Sequence, residues 1–260
     1  KYPGHVGKLN KTMYGTKDAS QGWEKHYSTI LTDDEYERGK ANGAIYYNEK
    51  EDVRLMVHGD DFVAMGDEEG LDAMEELLGK HYEKKRVGQL GPDPHDQKEL
   101  SVLNRILSWR IIDGVETVLF EADPRHVQCI VRDLELENAK AVATPSLRKT
   151  TKDVEETLKM EQLEPAGKTL MRSVVMRALY LSQDRGDIAE PVKTLSARMD
   201  KATLNDLSDA KRLGRYLKGR PRVVLKFPRQ KFQGDVVVGG DSDHAGCLYT
   251  RRSTSGLFAK

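Results

Sequence analysis

At 260 residues the chain can build one large domain or two of ordinary size. Hydrophobic residues make up 38% and charged ones 32%, which is apolar enough for a core but charge-rich for a globular protein. Lys+Arg and Asp+Glu both number 42, so net charge names no partner, and no apolar run approaches the roughly 18 residues of a membrane span. Cys129 and Cys247 stand far apart without metal-ligand spacing, which argues against a disulfide scaffold and for a reducing compartment. No signal peptide is visible.

Residues 1–19 are basic, with Gly4, Gly7 and Gly15 giving backbone freedom. A helix is expected from Ser20, as its cap, to about Leu31, with Trp23, Tyr27, Ile30 and Leu31 on one face and Trp23 as a core anchor. A strand at Ala44 to Tyr47 and a turn at Asn48-Glu49-Lys50 follow. Two short apolar runs, Val53 to Val57 and Phe62 to Met65, then flank His58-Gly59-Asp60-Asp61 and predict a hairpin with the acids at its turn. Asp67 to Lys85 has the stripe of an amphipathic helix: Leu71, Met74, Leu77, Leu78 and Tyr82. Its acids sit at the N-terminus and Lys84 and Lys85 at the C-terminus, which complements the helix dipole. Gly91-Pro92-Asp93-Pro94 is a loop. Val102 to Ile112 and Val115 to Phe120 flank Asp113-Gly114, a strong hairpin signal. Asp123 then caps a helix with Pro124 at its first position and a stripe of Val127, Ile130, Val131 and Leu134.

From Ala139 to Pro165 the stripe fades, as in a connector or domain boundary. Three helical patterns succeed it: Leu170 to Leu181, Ile188 to Met199 and Leu204 to Lys218. Strands are expected at Val223 to Phe227 and Val236 to Val238, the second running into Asp241-Ser242-Asp243-His244-Ala245-Gly246. Between Lys201 and Lys231 stand ten basic residues against Asp206 and Asp209. Such a cluster suits a phosphate backbone, and equally a solvated helix face. The chain starts at Lys1 and ends at Lys260, just after an apolar pattern begins at Leu257-Phe258-Ala259, so both ends look cut from something longer.

Adjacent carboxylates repel, so a fold that fixes Asp60 beside Asp61 suits a cation there. Mg²⁺ prefers carboxylate oxygens, waters and phosphates. A solvated polar turn explains the same two residues. Several other stretches bear on the choice. Lys8-Leu9-Asn10-Lys11-Thr12-Met13-Tyr14-Gly15-Thr16-Lys17, the acidic turn, Ala143-Thr144-Pro145, Met171 to Leu181, Asp187-Ile188, Arg215-Tyr216-Leu217-Lys218-Gly219, Asp241 to Gly246 and Arg252-Ser253-Thr254-Ser255-Gly256 occur in the order of known motifs. On them the chain resembles the copia-type retrotransposon Pol polyprotein, over its reverse transcriptase and the start of its ribonuclease H domain.

The resemblance implies an α+β fold: a palm-like antiparallel sheet with helices (1–145), a helical connection region (146–220) and the first strands of a ribonuclease H-like domain (221–260). It implies RNA-directed DNA synthesis with Mg²⁺ or Mn²⁺, using an RNA template, a DNA primer, RNA–DNA hybrid and deoxynucleotides. Asp60 and Asp61 match two of the three aspartates that hold the polymerase ions. Asp241 matches the first ribonuclease H carboxylate, with Asp243 two residues on as a weaker metal candidate on the same face if the strand continues. Gly59 would admit the primer, Lys8 and Lys17 would contact phosphates, Tyr14 would stack near the nucleotide or pack, and Gly15 would serve a turn. Other parts of Pol would be partners, with no membrane and a location in cytoplasmic virus-like particles and the nucleus. The family's third polymerase aspartate precedes Lys1 and its remaining ribonuclease H acids follow Lys260, so this stretch is expected to fall short of full activity.

The chain also departs from the pattern. His58-Gly59 replaces Tyr-Val, Thr16-Lys17-Asp18 replaces Leu-Lys-Gln, and His244 replaces a tryptophan. A non-catalytic nucleic-acid-binding remnant or domesticated module is therefore the rival reading. A template-independent metal phosphotransferase is a third.

Overall fold

Alternation along Val53–His58 sets the inward face of the sheet in the first third of the chain. Val53, Leu55 and Val57 point inward and are buried, while Arg54 and His58 face out, as the two-residue period of a half-buried strand requires. The computed structural model describes residues 4, 8, 12–13, 15–230 and 236–259. It divides into two compact units, Lys1–Val87 and Gly88–Lys260.

In the first unit, helix α1 (Ala19–Asp33) precedes strands β1 (Glu37–Arg38), β2 (Ile45–Asn48), β3 (Val53–His58) and β4 (Asp61–Met65) and helix α2 (Glu68–His81). The strands form one antiparallel sheet in the order β1-β2-β3-β4. Tyr27 and Leu31 of α1 and Met74 and Leu77 of α2 pack with Tyr46, Val53, Leu55 and Val57 in one core. Each such side chain contributes about 1.5–3 kcal/mol when fully buried. Ser20 is not the cap of α1. A turn in which the Thr16 N–H and hydroxyl both donate to Met13 O runs straight into the helix, which begins one residue earlier. Asp67 does cap α2, accepting the Gly70 N–H at 2.9 Å. That helix stops at His81 rather than Lys85, because Tyr82 turns extended and lays its ring against Trp23 and Phe62.

The second unit holds a four-stranded antiparallel sheet, β5 (Glu99–Val102), β6 (Arg105–Ile112), β7 (Val115–Ala122) and β8 (Leu225–Pro228), in that order. The strand expected from Val102 to Ile112 is broken by a tight turn at Leu103 and Asn104, both at positive φ. Asp113 and Gly114 form the expected turn between β6 and β7. Helices α3 (Arg125–Asp133), α4 (Thr151–Lys159), α5 (Pro165–Ser182), α6 (Ala189–Ser196) and α7 (Leu204–Gly219) follow, and β9 (Val238–Ser242) pairs antiparallel with β10 (Ser255–Ala259). The expected stripe of α3 packs with Met171, Val174 and Leu181 of α5 and Leu213 and Leu217 of α7 in a single core. Asp123 accepts the Arg125 N–H at 2.8 Å and so serves the first turn of α3, but Pro124 stands at the cap position rather than at the first helical residue as expected. The connector contains α4, started by a reciprocal Thr150–Asp153 capping box and buried only through Val154 and Thr157.

The observed fold is α+β with antiparallel sheets, as expected. β8 pairs with β7 rather than with β9. Among the described residues no helix is long and apolar enough to cross a membrane, and both cysteine thiols are free.

Candidate functional site

The acidic turn forms as the sequence predicts. His58 pairs with Asp61 at the end of the β3–β4 ladder, leaving Gly59 and Asp60 as the two central residues of the turn. His58, Gly59, Asp60 and Asp61 are all exposed. Among the described residues neither carboxylate has a hydrogen-bond or ion-pair partner. Two unpaired anions thus project at a site held by six paired strand positions of β3. Gly59 sits at φ 64°, and a Cβ there would meet nothing within 4 Å, so conformation alone demands glycine. Gly59→Ala is expected to destabilise the turn by about 1–2 kcal/mol, read as lost amide protection in β3 and β4 with α1 unaffected.

Behind the turn lies an aromatic group. The Trp23 ring meets Tyr82 edge-on at 5.1 Å, Tyr27 at 5.7 Å and Phe62 at 6.4 Å between centroids. Its indole N–H donates to Gly59 O at 2.7 Å. Burial pushes the Tyr82 phenol above its usual pKa. Trp23 is half-buried and packs on the core as expected. Its polar bond to the turn, 36 residues away, carries no local sequence signal.

Lys8, Gly15 and Lys17 are exposed, and no hydrogen bond or ion pair joins them to the turn among the described residues. Gly15, at φ 87°, does serve a turn. Tyr14 lies outside the described residues.

The second acidic locus is in the other unit. Asp241 lies on β9 opposite Gly256, exposed, with its Oδ1 accepting the Ser242 N–H at 2.9 Å. β9 ends at Ser242, so strand alternation does not carry on to Asp243 as expected. Asp243 instead closes the following loop: its Oδ1 accepts the Thr254 N–H at 2.6 Å. Both acids line a cavity of about 720 Å³ together with Lys149, Glu190, Lys193, Asp209 and Tyr249. Lys149 pairs with Asp209, and Tyr249 lies under the Arg198 guanidinium at 4.5 Å. Burial alone would lower the Lys149 pKa, but the Asp209 carboxylate and Tyr249 outweigh it and the net direction is up. Lys149, Lys193 and Tyr249 were not legible as site residues, because tertiary packing alone brings them to β9.

Half of the basic stretch is engaged within the fold. Arg212 donates to Thr144, Arg215 to Lys140 O, and Lys218 to Glu137 O and Ala139 O. Arg222 and Arg229 pair with Glu121 and Glu116 of β7. Lys231 lies outside the described residues. Asp93, His95 and Asp96 cluster in the 91–97 loop, where Asp96 accepts the Asp93 N–H and the Lys98 ammonium holds Gly91 O and Asp93 O.

No protein-family model matches the chain, and no solved structure matches it. It is 25% identical over 263 aligned positions to the retrovirus-related Pol polyprotein from transposon TNT 1-94 of Nicotiana tabacum, covering 97% of this chain and 18% of that one. It is 24% identical over 260 positions to the retrovirus-related Pol polyprotein from transposon RE1 of Arabidopsis thaliana, covering 98% and 16%. An uncharacterized mitochondrial protein of Arabidopsis thaliana is 33% identical over 139 positions, 54% of this chain and 55% of that protein. The chain thus spans less than a fifth of the two polyproteins and about half of the third protein. Over nearly its whole length it is a homologue of the retrovirus-related Pol polyproteins of plant transposons.

Proposed function

We propose that the chain is part of a retrotransposon reverse transcriptase that continues into the start of a ribonuclease H domain. The observation that carries this reading is the acidic turn: two adjacent, exposed, unpartnered carboxylates on a tight hairpin, within a chain whose homologues are Pol polyproteins. The donor set fits a hard divalent cation, since it is all oxygen and no cation of the described fold neutralises it. Asp60 and Asp61 would hold Mg²⁺ or Mn²⁺. When bound, such ions supply charge stabilisation at the attacking and leaving oxygens of nucleotidyl transfer. The chain's own contributions are distinct. Asp60 and Asp61 fix negative charge at the tip. Gly59, without a side chain, leaves room for a DNA primer end. Lys8 and Lys17 offer point charges to deoxynucleotide or RNA-template phosphates. Asp241 would stand in a separate site acting on RNA–DNA hybrid. Other parts of the polyprotein would complete both sites, in virus-like particles.

The rival reading is a binding module built on the basic 201–231 stretch, where carboxylates of the fold neutralise Arg222 and Arg229. Five of those cations are engaged within the fold. The test is primer extension by the chain expressed within its whole open reading frame. Incorporation of deoxynucleotides that requires both RNA template and Mg²⁺ is expected. Nucleotide turnover without template would assign a phosphotransferase, and duplex binding without extension a binding module. Either result overturns the polymerase reading.

A further inference from the structure

We propose that Trp23 is a positioning residue for Asp60: its indole N–H holds the Gly59–Asp60 peptide in one of two turn states and so sets where the Asp60 carboxylate points. The catalytic consequence rests on the polymerase reading above; the latch itself does not.

Two-residue hairpins use two turn types. In one, both central residues have positive φ; in the other, only the first does, and glycine takes that place. The Asp113–Gly114 turn is of the first kind, at φ 52° and 78°. The acidic turn is of the second: Gly59 is at φ 64° and Asp60 keeps a negative φ. The two types interconvert by flipping the central peptide, here Gly59–Asp60. Both are open to this sequence, since glycine adopts positive φ freely and aspartate tolerates it. The flip would reverse the Gly59 carbonyl and rotate the Cα–Cβ bond of Asp60. Asp61 would stay where it is, paired with His58 on β4. The spacing of the two carboxylates therefore depends on which way one peptide faces.

Trp23 decides it. Its N–H reaches Gly59 O at 2.7 Å, at the short end of the range for N–H···O bonds. The ring cannot swing away, because Tyr27, Phe62 and Tyr82 hold it edge-on on three sides. Phe62 follows Asp61 directly, so the same ring contacts both arms of the turn. An exposed glycine carbonyl would otherwise face water equally well in either state.

Trp23→Phe tests this, since it keeps an aromatic ring in the cluster and removes the donor. In the 260-residue chain, NMR should show the Trp23 indole proton protected from exchange and the Asp60 amide in one state. In Trp23→Phe the Asp60 amide should report two turn states, while the Asp61 amide stays in place. Loss of one hydrogen bond shifts such an equilibrium by roughly fivefold. In primer extension the Mg²⁺ concentration for half-maximal rate should rise by about the same factor, with the deoxynucleotide KM unchanged. A freely exchanging Trp23 indole proton in the native chain, a measurement that needs no variant, would overturn the proposal. So would a single unchanged turn state in Trp23→Phe. If the turn splits in the variant but the native protein shows no template-directed extension, the latch stands and the polymerase reading falls.

Discussion

Asp206→Ala should destabilise the 88–260 unit by roughly 3–5 kcal/mol, the range for removing one partner of a buried ion pair. The Asp206 side chain is 2% exposed and that of its partner Arg198 only 11%. One carboxylate oxygen accepts from Arg198 Nε at 2.7 Å, and the other accepts from Arg198 Nη2 at 3.0 Å and from the Thr203 N–H and hydroxyl at 2.9 Å each. Alanine would strand a guanidinium away from water and orphan the N–H and hydroxyl of Thr203, the cap residue of α7, the helix that supplies Leu213 and Leu217 to the core. The sign of the pH dependence follows. Burial alone would raise the Asp206 pKa, but the Arg198 guanidinium and the two Thr203 donors outweigh it, and the net direction is down from 3.8. The stabilisation is therefore complete above the ordinary carboxylate value and is lost as pH falls through the lowered folded value. Urea unfolding followed by amide protection of α7 should show a native-minus-variant gap that is constant above about pH 5 and shrinks below about pH 4. A gap that widened in acid would contradict the assignment.

Elements whose cause is local were legible in the sequence. The β3–β4 hairpin follows from alternation and one glycine, α3 from Asp123-Pro124, and the β6–β7 turn from Asp113-Gly114. What escaped depends on partners far along the chain. The Leu103–Asn104 turn places a leucine at φ 48°, which no turn rule suggests. It is held by the Tyr180 hydroxyl, which donates to Leu103 O at 3.0 Å from 77 residues away. The end of α2 is set by the ring cluster around Tyr82 rather than by its lysines. Asp241 and Asp243 were expected on one strand face, yet Asp241 stays on the strand, accepting only its neighbour's N–H, while Asp243 ties a loop, because β9 stops between them. The same holds for the arginines after Lys201, whose acceptors lie on β7 and in the 137–144 segment.

Replacing the acids of the turn should give the opposite phenotype to Asp206. Asp60→Asn and Asp61→Asn are each expected to slow template-directed extension by roughly 10²–10³-fold, the scale for losing one charge-stabilising group at a reaction centre. Asparagine keeps the shape and one oxygen donor but removes the negative charge that a divalent cation needs most. The double replacement should be little worse than the worse single one, because groups that serve one ion act as a unit and their losses do not multiply. Stability should be unchanged or slightly increased. Both side chains are exposed and neither has a partner among the described residues, so neutralising one removes a repulsion and breaks no bond. Asp241→Asn, in the other unit, should leave extension intact. Extension rates and melting temperatures of these four variants separate the outcomes. A fall in melting temperature that tracked the loss of extension would make Asp60 and Asp61 structural. Independent, multiplying losses would mean that they do not share one ion.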